Sequence, residues 1–448
     1  MVAATLFVMM AMVVTAQSDE EGRDSPATVV ICDPSASNDS FTPSQCCSAL
    51  NPFDSPLPTW QLGPGTTLHI RGRVDTDFIA TSQSAANKAT FGDLGDAVGL
   101  RRARLGVEGQ LPGGHYIAEL DFASGEVVVR DVFVGLGDQN DRGEFRIGHF
   151  REPFSFEGAT SANTFAFMER SPINVLDPGR NWGLGIFKAT LNNTATVEAG
   201  AFHSGTDAGD FQGGDGATVG FTERLTYTPI NESADGRLLH LGVALSERIP
   251  ENGIIIINQQ PRSPLLYLGD SANSPFVPVI EIPATYQQLM NLQLAVAKGP
   301  VWAQAEWYGS WINQTAGKPV FFHGSYAAVG WFVTGEHRGY PGSSGGLGLV
   351  HVNHPFLKQR FRHDRERGWG GWEIVARFSY LDFFDSNTPL GPTSQFVGMK
   401  LPETTLGVNW YLSDHVRLMF NYTYALPDEP NTGTSVANQF AMRLGVFW

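Results

Sequence analysis

Residues 100–185 read LRRARLGVEGQLPGGHYIAELDFASGEVVVRDVFVGLGDQNDRGEFRIGHFREPFSFEGATSANTFAFMERSPINVLDPGRNWGLG, and their pattern decides the fold. In the opening segment Arg102, Arg104, Gly106, Glu108 and Gln110 share one parity, while Ala103, Leu105, Val107 and Leu111 share the other. Successive side chains of a strand point to opposite faces, so this segment has one polar and one apolar face. After a Pro112-Gly113-Gly114 turn the pattern returns, with His115, Glu119 and Asp121 opposed by Tyr116, Ala118, Leu120 and Phe122. Strand, short turn, strand and long loop is the rhythm of an outer-membrane barrel, whose lipid-facing and lumen-facing residues alternate.

Working outward, TTLHIRGRVDTDF precedes this stretch, with Leu68, Ile70 and Val74 on one face and His69, Arg71, Arg73 and Asp75 on the other. After it come TATVEAGAFHS, ATVGFTERLTYTP, LLHLGVALSER, LQLAVAKGP, VWAQAEWYGSW, SYAAVGWFVTG, WEIVARFSYLDF, TTLGVNWYL, HVRLMFNYTYAL and NQFAMRLGVFW. The count is about sixteen, an even number as bacterial barrels require, which predicts an all-β, transmembrane antiparallel β-barrel. Short turns such as Gly299-Pro300 and Ser413-Asp414 alternate with long loops, and such turns face the periplasm. The connection from Glu336 to Gly368 departs from this, being long on the short-turn side. Either a hairpin lies around GGLGLVHVNHPF or a large segment folds at the periplasmic mouth, and the second is favoured. The chain closes on Phe440, Met442, Leu444, Val446 and Trp448, all of one parity, which resembles the assembly signal of outer-membrane proteins.

Composition agrees. Charged residues are 17% of the 448, below the roughly 25% of soluble domains, and 50 glycines suit strands and turns. A net charge of -15 argues against a nucleic-acid partner, which calls for a basic footprint. It does not exclude an anion channel, because a basic pore can coexist with acidic loops. Residues 1–16 are apolar and end in Val-Thr-Ala, which reads as a secretory signal; a start that clips a longer signal is the alternative. Residues 17–64 are rich in Ser, Asp and Pro and read as a periplasmic linker, leaving 65–448 as the barrel. In an exported chain Cys32 can pair with Cys46 or Cys47.

With the more apolar face of each strand turned outward, the inward set contains Arg71, Arg73, Arg102, Arg104, Arg146, Arg224, Arg248, Arg377, Arg417 and Arg443. A lipid-facing Arg near the midplane costs roughly 2–4 kcal/mol, so ten arginines cannot lie there. Rings of Arg or Lys are how pores select anions and phosphate. A guanidinium is a planar fork that fits phosphate and carboxylate and stays charged. The competing reading is that these arginines pair with Glu108, Glu119, Asp121, Glu198, Glu306 and Glu373 in an ordinary polar lumen.

RRARLGVEG, the DFA of Asp121–Ala123, RIGHFREPFSFE, FMERS and PGRNWGLG resemble the phosphate-selective porins of the O and P type. So do VGWFVTGEHRGYPG, GGWEIVARFSYLDF and TTLGVNWYLSDHVRLMFNY, and the resemblance runs from about Leu68 to Trp448. It implies a passive anion channel in the cell outer membrane, a homotrimer, and inorganic phosphate or other small anions as solutes. It also implies that the loop from Arg151 to Trp182 folds inward as a constriction. Arg151, Arg170 and Arg180 are then candidates for the narrow zone, with Glu152, Glu157 and Glu169 as their holders. The family's selective zone also uses lysine, which this loop lacks.

Lys358, Arg360, Arg362, Arg365 and Arg367 form a basic run, either a positive funnel at the periplasmic exit or a solvated segment. Trp302 and Tyr308 have the inward parity that an aromatic path for sugars needs. Gly342-Ser343-Ser344-Gly345-Gly346 fits G-x-S-x-G without the strand-to-helix elbow, and His351, His354 and His363 lack a completing ligand, so no enzyme, cofactor or metal is expected. Two other classes stay open: a general or carbohydrate-type porin with a charge-balanced lumen, and a plugged structural or adhesive barrel.

Overall fold

Sixteen strands make the wall. They are β1 (Thr66–Gln83), β2 (Ala97–Leu111), β3 (Gly114–Asp121), β4 (Val128–Asp138), β5 (Gly143–Arg151), β6 (Arg180–Thr190), β7 (Ala195–Ser204) and β8 (Thr218–Glu232). The second half is β9 (Arg237–Pro250), β10 (Ile280–Lys298), β11 (Val301–Gln314), β12 (Val320–Phe332), β13 (Gly371–Asp382), β14 (Lys400–Ser413), β15 (Val416–Ala425) and β16 (Ala437–Phe447). The computed structural model describes residues 59–448 except 124, 126, 205–216, 233–234, 259–266, 269–273, 278, 343–344, 358–367 and 388–397. The signal segment, the cysteines, the basic run and His363 lie outside the described residues.

Each strand pairs antiparallel with the next, and β1 pairs with β16 from Arg73↔Phe447 to Gln83↔Ala437, which closes the barrel. Closure leaves no free edge, so every wall backbone group can be satisfied inside lipid. Trp448 completes the seam, exchanging backbone hydrogen bonds of 3.0 Å with Gly72 in both directions. Its indole covers Gly72 so closely that a Cβ there would lie 2.3 Å from Trp448 Cζ2. Only glycine leaves room for that ring. A short strand, Thr59–Gly63, pairs with β1 up to His69, so ordered sheet begins before Pro64.

The alternation reads correctly along most of the wall: Leu105, Ile374 and Leu444 are exposed on the outer face, next to the inward-facing Arg104, Arg377 and Arg443. Two of the wall's register irregularities redirect arginines. Between β1 and β2 the pairing passes from Asp75↔Arg102 to Thr76↔Leu100, so Arg101 is an extra residue. Between β3 and β4 it passes from Ala118↔Val132 to Leu120↔Val129, so Arg130 and Asp131 stand opposite Glu119 alone. Such bulges re-aim side chains, and here they bring Arg101 and Arg130 to acidic groups inside.

Short turns gather at one end and long loops at the other, with one exception. In the segment between β12 and β13, residues 333–370, the described residues form an isolated bridge, Arg338↔Val350, and no wall hairpin. The segment enters the barrel from the short-turn end and meets the loop of residues 152–179, which descends from the other end. Leu347 N donates to Thr160 Oγ1 at 3.2 Å and Thr164 Oγ1 donates to Leu347 O at 3.1 Å. The core therefore lies inside the barrel: Phe154, Phe167, Ile173 and Leu176 of the loop and Val350 and Val352 of the segment pack on inward Tyr308, Phe322 and Leu381.

Candidate functional site

The loop is built on its own caps and on wall carboxylates. Ser155 caps the single turn Phe156–Ala159, accepting from Gly158 N at 2.8 Å. Glu306 of β11 accepts the free N–H groups of Phe156 and Glu157 at 2.9 and 2.8 Å, where unsatisfied helix donors favour an anion. Asp177 receives Arg151 Nη1 and Gly179 N, tying the loop's exit to its entrance. Glu152 receives Asn181 Nδ2 at 2.7 Å and Arg248 Nη2 at 2.6 Å, which anchors the entrance across the lumen.

All ten wall arginines face inward, in two environments. One group holds the loop and the short-turn segment. Arg417 donates to Phe165 O and Ala162 O at 2.7 and 2.8 Å, Arg377 to Glu169 O at 2.9 Å, and Arg224 to Gly345 O at 2.6 Å. Arg443 reaches Met168 O as well as Asp77 and Glu169, Arg73 reaches Asn163 Oδ1 at 2.7 Å, and Arg102 bridges Asp75 and Glu169. With Arg248 these side chains are buried under the loop.

The second group lies on β1–β6 and reaches solvent. Arg71 is held by Glu108 and Glu119, Arg104 by Asp121 and Glu119, Arg146 by Glu144, and Arg180 by Asp131. Arg101 and Arg130, hidden from a strict alternation by their bulges, join this side. The guanidiniums stand further out than most of the carboxylates behind them. Side-chain exposure is 13% at Arg104 against 5% at Asp121, 16% at Arg146 against 3% at Glu144, and 15% at Arg151 against 2% at Asp177. The order reverses at Arg180 and Asp131, 14% against 24%, and at Arg71 and Glu108, 29% against 32%.

The loop arginines converge at its root, where Arg151 and Arg180 are paired residues of β5 and β6. Their holders differ from expectation. Asp177 holds Arg151, Asp131 holds Arg180, and Arg170 donates to the carbonyls of Glu157 and Thr160 at 3.2 Å each. Glu152 and Glu169 instead carry wall arginines, because both carboxylates point away from the loop's own cations toward the opposite wall. Burial, reinforced by Arg151 and Arg180, pushes the Arg170 pKa down, although a guanidinium keeps its charge. Burial pushes the Glu157 carboxyl up to about 7, Glu306 adding to the shift and Arg377 opposing it.

Trp302 and Tyr308 do face inward, but they are packed rather than open. Trp302 Nε1 donates to Glu373 at 2.8 Å under the Arg338 guanidinium, and Tyr308 lies in the core. Arg338, on the inserted segment, is a fully buried partner of Glu373 that no strand pattern could reveal. Among the described residues no His/Cys/Asp/Glu group is arranged to hold a metal ion.

A family model described as phosphate-selective porin O and P matches residues 69–446. The chain belongs to this family. It is 27% identical to Porin O of Pseudomonas aeruginosa over 317 residues, covering 67% of this chain and 69% of that protein. It is 26% identical over 381 residues to an uncharacterized Caulobacter vibrioides protein, covering 81% of this chain and 70% of the relative. The fold matches the anion-selective porin from Comamonas acidovorans, at a TM-score of 0.53 and 12% identity over 86% of this chain and 100% of that one. It likewise matches in-vitro folded OmpT, an outer membrane protein of Vibrio cholerae, at a TM-score of 0.53 and 11% identity over 86% and 98%. As an outer-membrane porin it therefore has its short turns toward the periplasm and its long loops outside.

Proposed function

We propose that the porin is a passive anion-selective channel, without a catalytic step, whose solutes pass along the β1–β6 side of the lumen. The observation that carries this reading is the layering there: guanidiniums toward water, most of their carboxylates behind them. A cation fixed by a buried carboxylate keeps donor N–H groups for a passing anion while losing little freedom. Weak binding at several such sites lets an anion enter and leave. Arg170 lies in the loop, Arg101, Arg151 and Arg180 stand beside it, and Arg71, Arg104 and Arg146 continue toward the periplasm. Low-dielectric walls focus the field of such charges, and bulk salt screens them least where the passage is narrow.

Phosphate, polyphosphate or a similar anion is the proposed solute class, and the homotrimer is proposed on the family's pattern. The charge-balanced general porin is the second reading, favoured by the open carboxylates of Asp131 and Glu108. A joint Arg104→Gln, Arg151→Gln and Arg180→Gln variant tests the choice in planar bilayers. Anion preference and phosphate block of chloride current should both fall on the first reading. Unchanged reversal potential and block would favour the second.

A further inference from the structure

Three neighbouring wall strands, β10, β11 and β12, present no arginine or lysine to the lumen. The one lysine in them, Lys298, has the outward parity of Leu292, Leu294 and Val296. Their inward side chains are amides, rings and small apolar groups, among them Asn291, Gln293, Trp302, Gln304 and Tyr326, and the one inward charge is Glu306. Amides that both donate and accept, beside flat rings, suit an uncharged polyhydroxyl solute. Nothing on this arc rejects a cation. Left open, it would let neutral solutes bypass the guanidiniums of β1–β6.

The described residues of the segment between β12 and β13 cover this arc from the periplasmic side. Tyr340 and Leu347 pack on Leu238 and Ala295, and Tyr340 Oη lies 2.8 Å from His240 Nδ1. The Arg338 guanidinium stands 4.9 Å from the ring centre of Trp302, and its Nη2 donates to the two oxygens of Glu373 at 2.8 and 3.0 Å. The wall is thinned to seat that ring, since a Cβ at Gly330 would lie 2.3 Å from Trp302 Nε1. Between wall, loop and segment a cavity remains, lined by Trp302, Gln304, Thr160, Thr164 and Leu347. The wall itself has no need of the segment. Val333 N donates to Trp372 O at 2.8 Å and Trp372 N donates to Thr334 Oγ1 at 2.8 Å, so β12 and β13 run side by side to a point where a two-residue turn would join them.

Resting on the anion-channel reading, we propose that the inserted segment is a selectivity plug: it shuts the uncharged β10–β12 arc to neutral, carbohydrate-like solutes and to cations, leaving the β1–β6 side to conduct. The full chain is compared with a variant whose residues 335–370 are replaced by Asn-Gly. A second, full-length variant, Arg338→Met with Glu373→Gln, removes both charges of the buried pair and strands neither. Heat-modifiable mobility on gels establishes that each barrel has closed. Proteoliposome swelling is then read in glucose, sucrose and raffinose, and the reversal potential in a potassium chloride gradient. The wild type should exclude sucrose and raffinose. The shortened porin should lose that exclusion, with its potential shifted toward zero, and the paired variant should admit sucrose. Sucrose uptake by the wild type overturns the proposal. So does continued exclusion by the shortened porin, which would assign the exclusion to the loop of residues 152–179 alone. Should the shortened barrel fail to close, the paired variant decides, and wild-type exclusion there overturns the proposal. A wild type without anion preference instead overturns the channel reading, and the sugar comparison remains readable beside it.

Discussion

Glu169→Gln is the substitution that most directly loads the loop's attachment. Glu169 accepts Arg101 Nε and Nη2 at 2.9 Å each and Arg102 Nη2 at 3.2 Å, and it pairs with Arg443 as well. The carboxylate is buried, so its loss leaves three guanidiniums short of compensation. Removing one partner of a buried ion pair typically costs about 3–5 kcal/mol. Asp75 still holds Arg102 and Asp77 still holds Arg443, which places the expected cost near the lower end, about 3 kcal/mol. That shifts the ratio of docked to released loop by roughly 100-fold. Single-channel recording should show a noisier current with added conductance levels, and urea unfolding in detergent should move to lower denaturant. Glu232→Gln is the control, because its pair with Arg237 is half-exposed, and should change stability by less than about 1 kcal/mol. A steady wild-type current and unchanged unfolding in Glu169→Gln would refute the idea that the arginine clamp holds the loop.

Glu157 sets a pH dependence. Its carboxyl faces Glu306, Arg377, Arg170 and the Ser171 N–H, and its pKa is raised in the docked state. Protonation therefore favours docking. That stabilisation is present below the ordinary carboxyl value of about 4.3 and is lost as pH rises through about 7. Current noise should increase from pH 5 to pH 8 in the wild type and stay flat in Glu157→Gln; a pH-independent wild type would contradict this. Cysteines placed at Leu105, Ile374 and Leu444 should react with a lipid-soluble thiol probe and resist an aqueous one, and the reverse result would mean a wrong register. Gly72→Val should slow barrel closure, read as loss of heat-modifiable mobility on gels, because Trp448 occupies the space its side chain needs. Normal assembly of Gly72→Val would show the seam to be adaptable.

The barrel was legible because its rule is local: a one-residue slip would exchange the lipid and lumen faces of a whole strand. Leu105 beside Arg104, and Leu444 beside Arg443, carry that rule without help from the rest of the chain. Arg101 and Arg130 escaped it because a bulge inserts a residue where the pattern assumes none. The division of arginines into clamps and open forks escaped it for another reason. Arg417 and Arg104 have the same parity, but Arg417 meets the carbonyls of Phe165 and Ala162, more than two hundred residues away in the chain. Which carboxylate holds which cation, as with Asp177 and Arg151, follows from how the loop folds back and not from strand periodicity. The inserted segment was visible only as a connection too long for its side.

The reversal potential of the reconstituted porin in a potassium chloride gradient tests the central claim most directly. Open guanidiniums on β1–β6, backed by more deeply buried carboxylates, predict a potential displaced toward that of chloride, with the current then reduced by added phosphate. A potential at zero or displaced toward potassium would show that Asp131, Glu108 and their neighbours cancel the arginines, and would contradict the account.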